Sequence, residues 1–243
     1  MGPAFTAKYY LCQACAKIQR KVINQTREKG LRTFFLKIVC NSMEVKNIIF
    51  DLGGVLIDLD MSRTHRAFQQ FFGERAVELE HGYLKSRLLR RYEVGAIDTE
   101  TFLDELQGLA PAVGREAIVE AWNAMLLGIP ERRLRMLEQL GERYRLFVLS
   151  NTNALHEACF EKMAPGYEKF SGLFEKAYYS HHLGTRKPEL EIYQKVLQQS
   201  SLKAEETLFV DDLADNVQAA QKLRLQTLLI EPGLEPAEYF KHW

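Results

Sequence analysis

From residue 44 onward, short apolar runs alternate with stretches whose apolar residues recur every three or four positions. Val45, Ile48, Ile49 and Phe50 form a run of buried character that stops at Asp51. Runs of strand length follow at 145–150, 176–180, 206–210 and 225–230, with helical periodicity at 152–162, 189–200 and 213–223 between them. Leu134, Leu137 and Leu140 mark a further helix face that ends near Gly141. Alternation of this kind predicts right-handed crossovers and an α/β fold, a Rossmann-like, doubly wound parallel sheet.

Residues 61–130 interrupt that alternation. Phe68, Phe71 and Phe72, then Leu84, Leu88 and Leu89, then Phe102, Leu103 and Leu106 keep helical spacing, and strand character is almost absent. Asp98 or Thr99 is a reasonable helix start. The pattern predicts a core made of 43–60 and 131–243, with an inserted α-helical cap at 61–130. Residues 1–42 stand apart as a basic amino-terminal extension, and Met43 reads as a natural beginning. A targeting presequence, a basic docking helix and an extension from an early start codon are all compatible with it; the last is the plainest.

Composition narrows the class of partner. The 243 residues carry no net charge, which gives no support to a nucleic-acid partner. The first 42 hold eight Lys/Arg against Glu28, so the remaining 24 basic and 31 acidic side chains leave the rest acidic. Four scattered cysteines suit a reducing, cytoplasmic setting, and Cys12 and Cys15 have CxxC spacing without a second pair. No apolar stretch is long enough for a membrane span. A monomer or homodimer acting on a small molecule is the expectation.

The polar residues that end the apolar runs suggest a chemistry. Asp51 is followed by Gly53 and Gly54, where the backbone can turn sharply beside a ligand. Its carboxylate can bind a metal through one oxygen and attack phosphorus through the other. Asp211 and Asp212 end another run, and adjacent acids beside a third carboxylate call for a cation. Mg2+ prefers oxygen ligands, some of them water and substrate phosphate. Asp51 and Asp212 are the expected direct ligands with the Gly53 carbonyl, and Asp211 lies one layer behind. Ser150 and Asn151, before a helix, can cradle phosphate. Lys187, ahead of Pro188 as the first helical residue, can neutralise a phosphoryl oxygen and restrain Asp51. Taken singly, each has a plainer reading as a turn cap, a helix cap or an exposed lysine.

Together the strings Asp51-Leu52-Gly53-Gly54-Val55, Leu149 to Asn153, Leu183 to Pro188 and Asp211 to Asn216 resemble the haloacid dehalogenase-like (HAD) superfamily. The resemblance runs from about Met43 to the end. It is nearest the sugar-phosphatase branch similar to alpha-D-glucose-1-phosphate phosphatase, whose cap lies between the first two motifs. It implies Mg2+-dependent hydrolysis of a small phosphorylated metabolite through an aspartyl-phosphate on Asp51.

One position departs from most phosphatases of that superfamily. Gly53 stands where a second aspartate would serve as general acid and base, help worth about 10² to 10⁴ in rate. A sugar 1-phosphate or other activated ester would feel that gap least. His156 is a candidate substitute that would touch substrate; His81, His181 and His182 are further histidines more in keeping with structure or solvent. Arg87, Arg90, Arg91 and Tyr92 are candidate cap contacts only by clustering, and Trp122 reads as core. Two alternatives stand beside phosphatase: a metal-independent 2-haloacid dehalogenase, and a non-catalytic binding protein on the same scaffold.

Overall fold

The computed structural model describes residues 44–73, 76 and 87–243, so the expectations for 1–42, for the CxxC pair, for Leu84 and for His81 lie outside the described residues. Strand β1 (Asn47–Phe50) occupies the centre of a five-stranded sheet. It pairs in parallel with β4 (Arg145–Ser150) on one side and β6 (Thr207–Asp211) on the other. Beyond them, β5 (Lys176–Tyr179) flanks β4 and β7 (Gln226–Leu229) flanks β6, both parallel. The chain therefore reverses its winding direction at β1, the place where such sheets open a crevice beyond their carboxyl ends.

Alternation along β1 explains why the sheet is covered on both faces. Ile48 and Phe50 join Val148, Leu208 and Val210 in one apolar cluster, whereas Ile49 joins Phe147, Leu149 and Phe209 in the other. Successive side chains point to opposite faces, so a strand buried on both reads as a continuous apolar run. Helices α5 (Glu131–Gly141), α6 (Ala154–Phe160), α8 (Leu190–Gln199) and α9 (Ala214–Lys222) supply the covering layers, and α7 (Ser180–Leu183) and α10 (Pro236–Tyr239) are single turns. Strands β4 to β7 and helices α6, α8 and α9 fall within a residue or two of the expected runs, whereas the single turns α7 and α10 have no counterpart among them.

Between β1 and α5 the chain forms α1 (Met61–Phe72), α2 (Leu89–Glu93), α3 (Thr99–Leu109) and α4 (Arg115–Asn123). Phe68, Tyr92, Phe102, Leu106 and Trp122 meet in a third apolar cluster of their own, with Tyr92 and Phe102 stacked at 4.2 Å. The Asp98 carboxylate caps α3 by accepting from Thr101 N at 2.8 Å. The expected lack of strand in this stretch is corrected at its end. Leu126–Gly128 is a short strand, β3, antiparallel to β2 (Asp58–Leu59), so a two-stranded ribbon ties together both ends of the helical insert.

Cap and core contributions to the insert differ in size. Asp98→Ala should cost about 1 kcal/mol, the usual value of a lost N-cap. Phe102→Ala should cost about 3 to 5 kcal/mol, from transfer energy plus an unfilled cavity. Urea unfolding of the two variants should separate them clearly; equal midpoints would show that the apolar cluster is not what holds the insert.

Candidate active site

The register of the sheet brings the polar strand ends to one level. Phe50 is aligned with Val148 and with Val210, so Asp51 emerges beside Asp211, and its N–H donates to the Val210 carbonyl at 2.8 Å. Ser150 ends β4 one strand away and is buried. Into this row comes Lys187, from the loop between α7 and α8. Its side chain is only 1% exposed, and its Nζ lies 2.7 Å from Asp51 Oδ1 and 2.7 Å from Asp211 Oδ2. The ammonium also sits 5.5 Å from the Phe209 ring centre, a contact that favours the cation.

The partners of Asp211 explain how a carboxylate with no exposed surface is tolerated. Oδ1 accepts from Leu213 N at 2.8 Å and from Asn216 Nδ2 at 2.9 Å, and Oδ2 accepts from Asn216 Nδ2 at 3.1 Å and from Lys187. With both oxygens engaged, Asp211 has little left for direct metal ligation. Asp212 is only half-buried and has no such set of partners. One oxygen from each of Asp51, Asp211 and Asp212 falls within 4.8 Å of the others, close to the span of about 4 Å across an octahedral Mg2+. Gly54 closes the far side: at φ +75°, a Cβ there would collide with Asp212 Oδ2.

Charge follows from these positions. Three carboxylates face one ammonium, which leaves an excess of two negative charges in a buried place. Burial pushes Asp51 up to about 7; the Lys187 ammonium opposes the rise and the Asp211 carboxylate adds to it. Burial and the neighbouring Asp211 likewise raise Asp212. Burial works hardest against the Lys187 charge, yet the two carboxylates together outweigh it and hold its pKa above the ordinary lysine value. A divalent cation would relieve the acids directly. The donor set, all oxygen and mostly carboxylate, suits Mg2+.

This row of strand-end acids, serine and buried lysine lies within residues 45–224, which match the family model of the haloacid dehalogenase-like hydrolases. The chain belongs to that family. Among the relatives of this hydrolase is the D-ribitol-5-phosphate phosphatase of Bacteroides thetaiotaomicron, 29% identical over 197 residues, covering 79% of this chain and 94% of that one. The sesquiterpene phosphatase of Aspergillus oryzae is 27% identical, covering 78% and 91%. A HAD family enzyme from Bacteroides thetaiotaomicron, solved with magnesium and inorganic phosphate, is 33% identical and superposes with a TM-score of 0.74 over 81% of this chain and 99% of its own.

Several expected residues of the hydrolase take other positions. The Asn151 side chain is spent on the Lys187 backbone: Nδ2 donates to the Lys187 carbonyl at 2.9 Å and Oδ1 accepts from Lys187 N at 2.8 Å. It is therefore a strut for the lysine loop, and no helix starts there, because Asn153 caps α6. Pro188 is not the first helical residue either. The Lys187–Pro188 peptide is cis, Glu189 is the N-cap and α8 begins at Leu190. Asp215 lies exposed in the first turn of α9, whereas Asn216 is buried on Asp211. The sequence places Asp215 and Asn216 together at the opening of this helix, where either could order the loop; Asn216 is the one that bonds Asp211.

His156 is corrected as a substrate contact. Its Nε2 lies 3.1 Å from the Trp122 carbonyl and must donate to it, so Nδ1 accepts from Asn153 Nδ2 at 3.2 Å. The ring stacks on Trp122 at 5.3 Å, and Trp122 Nε1 donates to Asn153 Oδ1 at 3.3 Å. Both nitrogens are occupied, and the ring is a buried fastener between α4 and α6. In the insert, Arg90 pairs with Glu189 at 2.9 Å, Arg91 pairs with Glu105 at 3.3 Å, Tyr92 is buried and Arg87 is exposed.

The occupied imidazole makes stability depend on pH. Burial lowers its pKa from 6.5 to about 4, with the Trp122 carbonyl offsetting part of the fall. Between those values the unfolded chain binds more protons, so stability present above 6.5 is lost as pH falls toward 4. A shift of that size corresponds to about 3 kcal/mol. His156→Gln, which keeps a donor for the Trp122 carbonyl, should lose markedly less stability than the parent between about pH 7 and about pH 4 in urea unfolding. Parallel losses in both proteins would assign the acid sensitivity elsewhere.

Proposed function

We propose that this hydrolase is a Mg2+-dependent phosphatase acting on a small phosphorylated metabolite, with Asp51 as nucleophile. The observation that carries the reading is the Lys187 ammonium held 2.7 Å from both Asp51 and Asp211, with the Asp212 carboxylate in reach of the same point. The phosphatase names of its relatives, and the magnesium and phosphate in the HAD family enzyme, support it.

Asp51 Oδ1 accepts both Leu52 N at 2.7 Å and Lys187 Nζ, which leaves Oδ2 as the attacking oxygen. Attack forms the Asp51–phosphorus bond as the bond to the leaving oxygen breaks, and water then cleaves the aspartyl-phosphate to regenerate the carboxylate. Mg2+, held by Asp51, Asp212 and the Gly53 carbonyl, supplies charge stabilisation to the phosphoryl oxygens. Ser150 and Lys187 hold those oxygens from the strand ends, while Asp211, Asn151 and Asn216 position the lysine. An acidic trio lacking its cation would repel the carboxylate of a haloacid, so metal-free dehalogenation is poorly served here.

Substrate choice follows from Gly53. A Cβ at that position would stand 2.7 Å from Leu59 Cδ1, so an apolar side chain fills the space beside the turn and no acid faces the leaving group from there. Leaving groups that depart with little protonation, such as the anomeric oxygen of a sugar 1-phosphate, are the proposed best substrates. The ribitol 5-phosphate of the relative's name makes sugar and polyol monoesters the chemical class to screen.

Phosphate release from such a panel should stop with EDTA and return with Mg2+, and Asp51→Asn should lower turnover at least about 10⁴-fold. Activity that survives Asp51→Asn would refute the nucleophile. Across esters of one sugar, kcat should rise as the leaving group becomes more acidic, steeply enough to span about 10² between a primary alkyl ester and the 1-phosphate. A flat dependence would mean that another group supplies the proton.

A further inference from the structure

A second cluster of ligand-type side chains stands outside the row that ends β1, β4 and β6. Glu157 on α6 faces His181 and His182, the two residues that follow Ser180 at the start of α7. A single carboxylate oxygen, Glu157 Oε2, lies 2.9 Å from His181 Nε2 and 3.2 Å from His182 Nε2. All three atoms fall within 4.8 Å of one another. Because α7 follows β5, the edge strand two places from β1, this cluster lies about 10 Å across the sheet from the Asp51 strand.

We propose that Glu157, His181 and His182 form a second metal site, selective for a borderline divalent ion such as Zn2+ over Mg2+. Two imidazoles and one carboxylate are the ligand set of Zn2+, whereas Mg2+ takes oxygen. In a tetrahedral site with bonds of about 2.1 Å, neighbouring ligand atoms stand about 3.4 Å apart. The two contacts of Glu157 Oε2 need only open by a few tenths of an ångström to reach that spacing, and the two imidazole nitrogens already stand within 4.8 Å of each other. Three protein ligands leave the fourth position to water, and the His182 side chain, 57% exposed, keeps that side open for entry.

His181 can become a ligand by relocating a single proton. Its side chain is 7% exposed, and its Nδ1 is buried with no hydrogen-bond partner. Glu157 Oε2 accepts the proton of Nε2, while nothing occupies Nδ1, so the proton has a vacant nitrogen to move to once a metal takes the carboxylate oxygen. Moving it to Nδ1 frees the Nε2 lone pair for a metal without breaking any bond at Nδ1. His182, being exposed, can exchange its own tautomer through water. The rings stand 4.1 Å apart, so a proton on each would place two cations together over one carboxylate.

The site stands on the same backbone against which the insert rests. At Gly95, φ +65°, a Cβ would collide with the His181 carbonyl oxygen, so the turn after α2 packs directly on the ligand-bearing segment. Metal occupancy would therefore stiffen the seat of the insert as well as the cluster itself.

Co2+ titrated into the Asp212→Asn protein, in which the acidic row is impaired, tests the assignment by absorption spectroscopy without reference to phosphatase activity. One equivalent should develop intense tetrahedral d–d bands, and Zn2+ should displace them while Mg2+ should not. His182→Ala, at an exposed position that does not threaten folding, and Glu157→Gln should each weaken Co2+ binding at least about tenfold. Zn2+ should raise the unfolding temperature of the Asp212→Asn protein, and adding His182→Ala to it should remove that rise. Absence of the bands, or bands of equal strength in the His182→Ala and Glu157→Gln proteins, would overturn the site.

Discussion

The structure depends on an ammonium group placed where water cannot reach it. Lys187 is a full positive charge at 1% exposure, a position that would cost several kcal/mol without compensation. Asp51 and Asp211 provide that compensation, each at 2.7 Å, and the lysine in turn opposes the rise that burial imposes on the Asp51 carboxyl. Each member of the trio is tolerable only because the other two are present. The coupling explains the supporting bonds: Asn151 clamps the lysine backbone from both sides, while Asn216 and Leu213 N complete the shell of Asp211. Losing one member leaves a buried, uncompensated charge, so folding and chemistry draw on the same contacts.

That arrangement also explains the acidity of the site. The lysine neutralises one charge of three, and the remaining pair is poised for a divalent cation and the dianionic group it carries. A stronger internal neutralisation, by a second lysine for example, would stabilise the fold and remove the reason to bind Mg2+. The site is held short of electrical balance, which fits a centre that binds a charged ligand rather than one that merely packs.

Asp51, Ser150 and Asp211 are legible in the sequence because several apolar runs each end in a polar side chain, and a parallel sheet brings such ends to one edge, although each residue alone reads as a cap. The cluster of four motifs places Lys187 with them. Their arrangement is legible only as far as strand order can be guessed. The amide of Asn151 meets Lys187 across 36 residues, and no local pattern announces a hydrogen bond of that range. His156 misleads for a similar reason. Its spacing from Ser150 suits a ligand, but the Trp122 carbonyl that occupies it belongs to another helix, 34 residues away. The β2–β3 ribbon escapes the pattern because two- and three-residue strands are too short to show a period.

Asn153 shows how the insert and the strand ends are tied. It caps α6 through the His156 N–H, accepts from Trp122 Nε1 of the insert, and sits three residues past Ser150. Leu155 N donates to Tyr92 Oη of α2 at 3.1 Å. Arg186, the residue before Lys187, meets the largely buried Glu93 of α2 as an ion pair at 3.2 Å. Burial pushes the Glu93 carboxyl up, and the Arg186 and Arg90 guanidiniums oppose that rise. The loop that delivers the lysine is thus fastened to the insert by its neighbouring side chain. Movement of α2 away from the strand ends would separate Arg186 from Glu93 and pull on the residue next to Lys187. A helical insert fastened in this way does more than cover the crevice: its seating and the position of the central ammonium are mechanically linked.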